Sequence, residues 1–140
     1  MISPKLNFSH VCDYAFNGEG GKLCIIGIFK NITVQNSEQP HPQMFIVTNM
    51  TVETGRDYKQ VIKLVKDDKQ NEDVITPISL SFGIGKESGQ SNVEFGFIGQ
   101  INNAKFKESG RYLFKVYIDD VLLFETPITV VVNNFALIQK

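Results

Sequence analysis

The sequence is notable first for what is scarce in it. Its 140 residues include no tryptophan, only two histidines and two cysteines, and no block of like charge. The formal net charge is −1, whereas proteins that grip nucleic-acid phosphates normally carry a basic excess. No apolar run approaches the ~20 residues that a helix needs to cross a bilayer. We therefore expect neither a nucleic acid nor a membrane as a partner.

Signals for export are also missing. The first residues, MISPKLNFSHVCDY, contain neither an apolar segment nor a small-residue cleavage site, the features of a secretory signal peptide. The cytoplasm is therefore the expected location. Disulfides belong mainly to exported proteins, and Cys12 and Cys24 would be offset along neighbouring strands, which disulfide geometry tolerates poorly. We expect two buried, free thiols.

What the sequence has in quantity is short apolar stretches separated by turn residues. Strands are predicted at residues 8–14, 23–29, 32–34, 44–52, 58–66, 78–84, 93–101, 111–118 and 121–132. We find no helix longer than a turn or two. This pattern predicts an all-β protein, a single antiparallel β-sandwich of about seven to nine strands in one domain over residues 1–140.

Three segments carry more specific expectations. Residues 20–30, GGKLCIIGIFK, are apolar on both faces and predict a central strand that the other strands cover. The polar residues 67–73 are predicted to be a surface loop. Asp119 and Asp120 predict a tight hairpin turn between the last two strands.

The segment Glu108-Ser-Gly110-Arg-Tyr112 resembles a signature of immunoglobulin-like sandwiches. In those proteins an acid-x-Gly-x-Tyr pattern precedes strand F, and the tyrosine hydroxyl bonds to the backbone a few residues upstream. The resemblance implies that Glu108, Gly110 and Tyr112 form a structural corner, and that the sandwich has an immunoglobulin-like or similar Greek-key arrangement. The alternative is a simple glycine turn before a strand.

A second resemblance covers most of the chain. It rests on CDYAF at 12–16, GKLCIIGIF at 21–29, the Pro-His-Pro at 40–42, SGRYLFKVYIDD at 109–120 and ETPITV at 125–130. Together these stretches resemble a bacterial family of small proteins that is catalogued only as a domain of unknown function. The resemblance runs from about residue 12 to residue 132, which leaves a tail at 133–140. It implies a domain-sized fold and no activity.

Candidates for catalysis are few. His10 and Cys12 would share one face of a strand, but Cβ atoms about 7 Å apart are beyond direct hydrogen-bond reach for most rotamers. We therefore expect no enzyme and no catalytic residue, and an activity based on His10 and Cys12 would be an exception.

Metal and cofactor sites are not indicated either. His10, Cys12, Asp13 and His41 lack the spacing of a metal motif. The acidic residues of 67–73 lack the glycine and ligand spacing of a Ca²⁺ loop. The GGK at 20–22 precedes a strand, whereas a phosphate-binding loop precedes a helix. We expect no cofactor and no metal.

The expected partner-binding residues are His41, in the Pro-His-Pro loop, and Phe135, Leu137 and Ile138, in the apolar tail. An exposed apolar edge invites strand addition or a partner surface. Alternatively, the tail folds back and completes its own sandwich. The sequence leaves both arrangements open.

These observations favour a non-catalytic protein-binding or adaptor module that acts through a protein partner or through self-association. The first alternative is a structural subunit of a self-assembling, phage-like or secretion-like particle, because sandwiches commonly serve there. The second alternative is a small-ligand-binding module.

Overall fold

The structure, a computed structural model, describes residues 4–133. In this part of the chain the regular structure is β, apart from two single 3₁₀ turns at Glu19–Gly21 and Lys86–Ser88. The strands are β1 (Lys5–Asn17), β2 (Leu23–Ile28), β3 (Asn31–Val34), β4 (His41–Glu53), β5 (Arg56–Lys66), β6 (Lys69–Asp73), β7 (Ile78–Ile84), β8 (Asn92–Ala104), β9 (Gly110–Ile118) and β10 (Val121–Val132). The all-β prediction is confirmed.

The predicted count of seven to nine strands is too low, because residues 4–133 form ten strands. The additional strand is β6, which lies within the residues predicted to form a loop. It pairs with the end of β5, and all five of its residues are exposed. A strand with no buried face has no reason to alternate apolar and polar side chains, so its sequence resembles that of a loop.

The strands form two sheets. One sheet has the order β2-β1-β4-β8, and the other has the order β3-β10-β9-β5, with β6 and β7 both pairing with β5. The predicted purely antiparallel arrangement is also wrong, because β3 and β10 are parallel. Only Phe29 and Lys30 separate β2 from β3, so the chain passes directly from the edge of one sheet to the edge of the other, where β10 is its neighbour.

The two sheets pack against each other through a common core. Alternate side chains of β4, including Met44 and Ile46, face side chains of the second sheet such as Leu64, Phe114 and Ile128, and all five are at most 1% exposed. We call this cluster the main core. A hydrogen bond of 2.9 Å between the Ser9 and Thr126 hydroxyl oxygens also joins the sheets. Each large side chain buried here contributes about 1.5–3 kcal/mol relative to an exposed one.

The central strand of the first sheet is β4, and the prediction that residues 20–30 form the central strand is wrong. β4 pairs with β1 on one side and β8 on the other, and its residues 44–48 are all buried. β2 lies at the sheet edge and pairs with β1. Ile26 and Ile28 of β2 are 54% and 53% exposed. The physical reason is that the β1–β2 hairpin separates from β4 beyond Cys12, so β2 has a neighbouring strand on one side alone among residues 4–133.

The predicted turn between the last two strands is confirmed. Asp119 and Asp120 connect β9 to β10, and both have positive φ, at 50° and 67°. The Asp119 carboxylate accepts a hydrogen bond from the Lys59 backbone N–H at 2.9 Å and forms an ion pair with Arg56. These contacts to β5 hold the turn in a conformation that favours glycine.

Candidate partner-binding face

The amino-terminal hairpin leaves the sheet from which it starts. β1 pairs with β4 as far as Cys12, which lies opposite Phe45. Beyond Cys12, β1 pairs with β2 alone. We call the resulting two-stranded hairpin, residues 12–28, the arm.

The arm lies over the outer face of the first sheet. Its end, including Asn17 and Leu23, lines a groove of about 360 Å³ together with Val47 and Asn49 of β4 and Ile98 of β8. Because Phe45 and Val47 alternate with the core residues Met44 and Ile46, their side chains point away from the main core. The arm therefore covers apolar side chains on the side of the sheet opposite the main core.

A small second core fills the space beneath the arm. Cys12, Ala15, Phe45 and Val47 are all buried there, with Phe8, Ile25 and Ile98 packed against them. We call this cluster the arm core. The Tyr14 ring meets the Phe45 ring edge-on, with centroids 5.2 Å apart and an interplanar angle of 88°. Ala15 and Ile25, which pair across the arm, therefore pack onto the sheet, and the edge of the Tyr14 ring reaches the rim of this cluster.

Gly27 has a backbone conformation that other residues rarely adopt. Its φ is +71°, and a Cβ added there would clash with the side chain of Asp13. A side chain at this position would therefore be strained by the backbone and would also displace the Asp13 carboxylate. The backbone conformation of β2 at this point favours glycine.

The face of the arm opposite Ala15 is apolar and partly open to solvent. Tyr14 and Ile26 pair across the arm, and alternation places Phe16 and Ile28 on the same face. Tyr14 and Phe16 are 45% and 38% exposed, and Ile26 and Ile28 are each more than half exposed. We call these four residues the arm face. Exposed apolar residues that lie together on one face often mark an interaction site.

The arm also has an open strand edge. Within residues 4–133, β2 pairs with β1 and with no other strand. Charged side chains and proline commonly protect a strand edge from further pairing. The residues of β2, LCIIGI, include neither. The backbone groups on this edge are therefore open to another strand.

Of the partner-binding residues expected from the sequence, His41 lies outside this face. His41 is the first residue of β4 and is half-buried, with its ring centroid 6.3 Å from that of Phe29. Its Nε2 atom is buried and has no hydrogen-bond partner within the described part of the chain. Phe135, Leu137 and Ile138 lie outside the described residues.

The hydrogen bond expected of a tyrosine corner is present. The Tyr112 hydroxyl donates to the backbone carbonyl of Glu108 at 2.8 Å. The Tyr112 ring is 2% exposed and packs edge-on against Phe106, and this burial raises the pKa of the hydroxyl. At Gly110, an added Cβ would lie 2.7 Å from Cε of Lys66. These contacts fix the connection into β9.

A charged groove of about 320 Å³ lies beside this corner. Lys66, Lys69 and Lys107 line it, and so does Glu108. The Lys66 ammonium donates to Asp68 at 2.6 Å, and Lys69 lies 2.7 Å from Glu108. These bonds raise the pKa of Lys66 and Lys69 and lower those of the two carboxyl groups. Two of the lysine ammonium groups at the groove, Lys66 and Lys69, are thus already paired with carboxylates.

His10 and Cys12 are arranged as packing residues. The His10 ring stacks on Phe8, with centroids 5.7 Å apart, and Cys12 is fully buried in the arm core. Burial raises the pKa of the Cys12 thiol, which disfavours the reactive thiolate. Both cysteines are free, as predicted, but Cys24 is only half-buried. No three or more His, Cys, Asp or Glu side chains in residues 4–133 are grouped so that they could hold a metal ion.

Comparison with known proteins gives a family and no function. The family described as "Family of unknown function (DUF6941)" matches residues 7–131, and the chain belongs to this family. No curated protein matches the sequence. Among residues 4–133, no helix has the length and hydropathy that a membrane span requires.

Sequence reasoning missed the arm face, although a signal for it exists. Both VCDYAFN and LCIIGI are apolar at consecutive positions, and a glycine-rich turn joins them. A hairpin that is apolar on both faces must either lie between two layers or leave one face exposed. The pattern alone does not distinguish these two arrangements.

Proposed function

We propose that this protein is a non-catalytic protein-binding module of the adaptor type, and that the arm face is its docking surface for a protein partner. The observation that carries this proposal is the exposure of Tyr14, Phe16, Ile26 and Ile28 together on one face. Aromatic residues are enriched at protein interfaces, whereas lysine and glutamate are depleted. The arm face contains two aromatic residues and no charged residue.

For the two sheets we propose an immunoglobulin-like, Greek-key sandwich. The order β5-β9-β10 corresponds to strands C, F and G, and β4 and β8 correspond to B and E on the other sheet. Tyr112 lies near the start of β9, as a corner tyrosine does at strand F. In this interpretation the arm is an addition to the sandwich.

The proposal includes a single domain over residues 1–140, located in the cytoplasm of a bacterium. A net charge of −1 supports a partner other than nucleic acid, and we expect no membrane partner, no cofactor and no metal. Small-ligand binding ranks third, because Lys66 and Lys69 of the groove beside Tyr112 are already paired with carboxylates.

Self-assembly into a particle is the second candidate, and the open edge of β2 favours it. Light scattering on the full chain and on a chain stopped after Val132 tests it, together with the role expected for Phe135, Leu137 and Ile138. Large assemblies of the full chain, with a monomeric shorter chain, would support assembly through the tail. Monomers in both cases would exclude self-assembly.

Site-specific cross-linking tests the docking face. A photoreactive phenylalanine analogue is placed at Tyr14, or at Tyr117 on β9 as a control, and the cells that express the protein are irradiated. We expect a discrete adduct with one protein from position 14 only, and its loss when Ile26→Asp is added. Equal adducts from both positions, or an adduct that survives Ile26→Asp, would contradict the proposal.

A further inference from the structure

Two lysines lie at the two ends of the open edge of β2. Lys22 directly precedes the strand, and Lys30 follows it by two residues. Both side chains are exposed, and in residues 4–133 neither forms an ion pair. The uncharged edge is therefore bounded by an available positive charge at each end.

We propose that β2 binds an extended peptide segment of another protein as an added strand, and that this segment is apolar at alternate central positions and acidic at both ends. This inference rests on the proposed protein-binding function and specifies the partner. Main-chain hydrogen bonds supply affinity in strand addition, and alternate side chains supply specificity. Apolar side chains of the added strand would lie beside Ile26 and Ile28, and its acidic ends beside Lys22 and Lys30.

The length of the segment follows from the edge. Residues 22–30 span at most about 26 Å, which is eight steps of roughly 3.3 Å, and the positive φ of Gly27 makes the span shorter. A peptide of about nine residues therefore reaches from one lysine to the other. A much shorter peptide would reach only one of them.

A second copy of this chain fits the edge less well. In a two-fold antiparallel pair of β2 strands, the start of one strand lies beside the end of the other, which brings Lys22 of each copy near Lys30 of the other. Like charges on neighbouring strands are destabilising.

Peptide binding to the full chain tests the inference. The probe is a fluorescent nine-residue peptide with aspartate at both ends and alternating valine and threonine between them. One control peptide has lysine at both ends, and another has proline at the central position, which removes a backbone donor. By fluorescence anisotropy we expect the aspartate peptide to bind roughly fivefold or more tightly than either control. The preference over the lysine peptide should shrink in 1 M salt.

Charge reversal on the protein gives the matched test. The double variant Lys22→Glu, Lys30→Glu should prefer the lysine peptide, and Lys5→Glu, Lys107→Glu should keep the wild-type preference with the same change in net charge. Lys5 and Lys107 are exposed and lie outside the arm. Equal affinity for both charged peptides, or a preference that the reversal leaves unchanged, would overturn the inference.

Other occupants of the edge would be recognised in the same experiment. If the peptide binds to a chain stopped after Val132 but not to the full chain, the edge is occupied by the protein's own tail. If the full chain forms a dimer that the peptide does not dissociate, the edge is occupied by a second copy. Either result overturns the inference. If no peptide binds while the adduct at position 14 still depends on Ile26, strand addition is wrong and the docking function stands.

Discussion

The main core and the arm core are built from the same kinds of side chain but differ in how many strands shield them from solvent. The main core contains fifteen buried residues from both sheets. Detaching any one strand from it would therefore expose buried side chains of the other strands. The arm core contains four, and one hairpin closes it. Units with few buried contacts open at a lower free energy than the whole protein. We therefore expect the arm to open while the two sheets remain packed.

The largest expected effect comes from truncating one phenylalanine in each core. Phe114→Ala should lower the free energy of unfolding by about 3–5 kcal/mol, because it leaves a cavity in the main core. Phe45→Ala should lower the free energy of unfolding by less, because the arm can move closer to the sheet and fill part of the cavity that the ring leaves. Guanidinium titrations followed by circular dichroism measure both. Equal losses would show that the two cores unfold as one unit.

Gly27→Ala should act on the arm in particular. A positive φ costs an alanine about 1–2 kcal/mol, and the clash with Asp13 adds to this cost. The measurement is the rate at which Cys12 reacts with a thiol reagent in a Cys24→Ser background. Opening exposes Cys12 and returns its raised pKa toward the ordinary value, so more thiolate forms at pH 8. We expect labelling to accelerate about tenfold or more, since 1.4 kcal/mol corresponds to a factor of ten.

The control for this variant is Gly89→Ala. Gly89 has a similar φ of +82°, but nothing lies within 4 Å of an added Cβ, and the residue is outside the arm. Its substitution should lower overall stability without changing the labelling rate of Cys12. Equal acceleration in both variants would mean that Cys12 becomes exposed only when the whole protein unfolds.

Tyr112→Phe should have a smaller effect, confined to the main core. The substitution keeps the ring and removes the hydrogen bond to the Glu108 carbonyl, which should lower the free energy of unfolding by about 0.5–1.5 kcal/mol. Denaturant titration measures the loss. The labelling rate of Cys12 should not change, and an increase would indicate that the corner and the arm are coupled.

Asp120→Gly should stabilise the protein slightly, because glycine adopts the φ of +67° without the strain of about 1–2 kcal/mol that other residues have there. This gain exceeds the roughly 0.5–1 kcal/mol of additional conformational entropy that a glycine loses on folding. The midpoint of thermal unfolding should rise. The matched variant Asp119→Gly should lower it instead, because the contacts with Arg56 and Lys59 are lost. A lower midpoint for Asp120→Gly would show that its side chain has a stabilising contact.

The sequence predicts those parts of the fold in which local pattern and burial agree. The alternation at Ile78, Leu80, Phe82 and Ile84 identifies β7, and the bond from Tyr112 to Glu108 follows from a local motif. Residues 23–28 have the composition of a buried strand but lie at an edge. Their position depends on where β1 leaves β4, a long-range property that local pattern does not contain. The candidate site was missed for the same reason.

The parallel pairing of β3 with β10 has a consequence for the synthesis of the protein. Thr129 pairs with Asn31, so roughly a hundred residues separate the two strands along the chain. At about 5–20 residues per second, the ribosome needs about 5–20 s to make them. Within residues 4–133 the sheet neighbour of β3 is β10, so β3 stays unpaired in its sheet during that interval. The nascent chain therefore carries an unpaired strand until translation reaches β10, and a chaperone that shields β3 should increase the yield of folded protein.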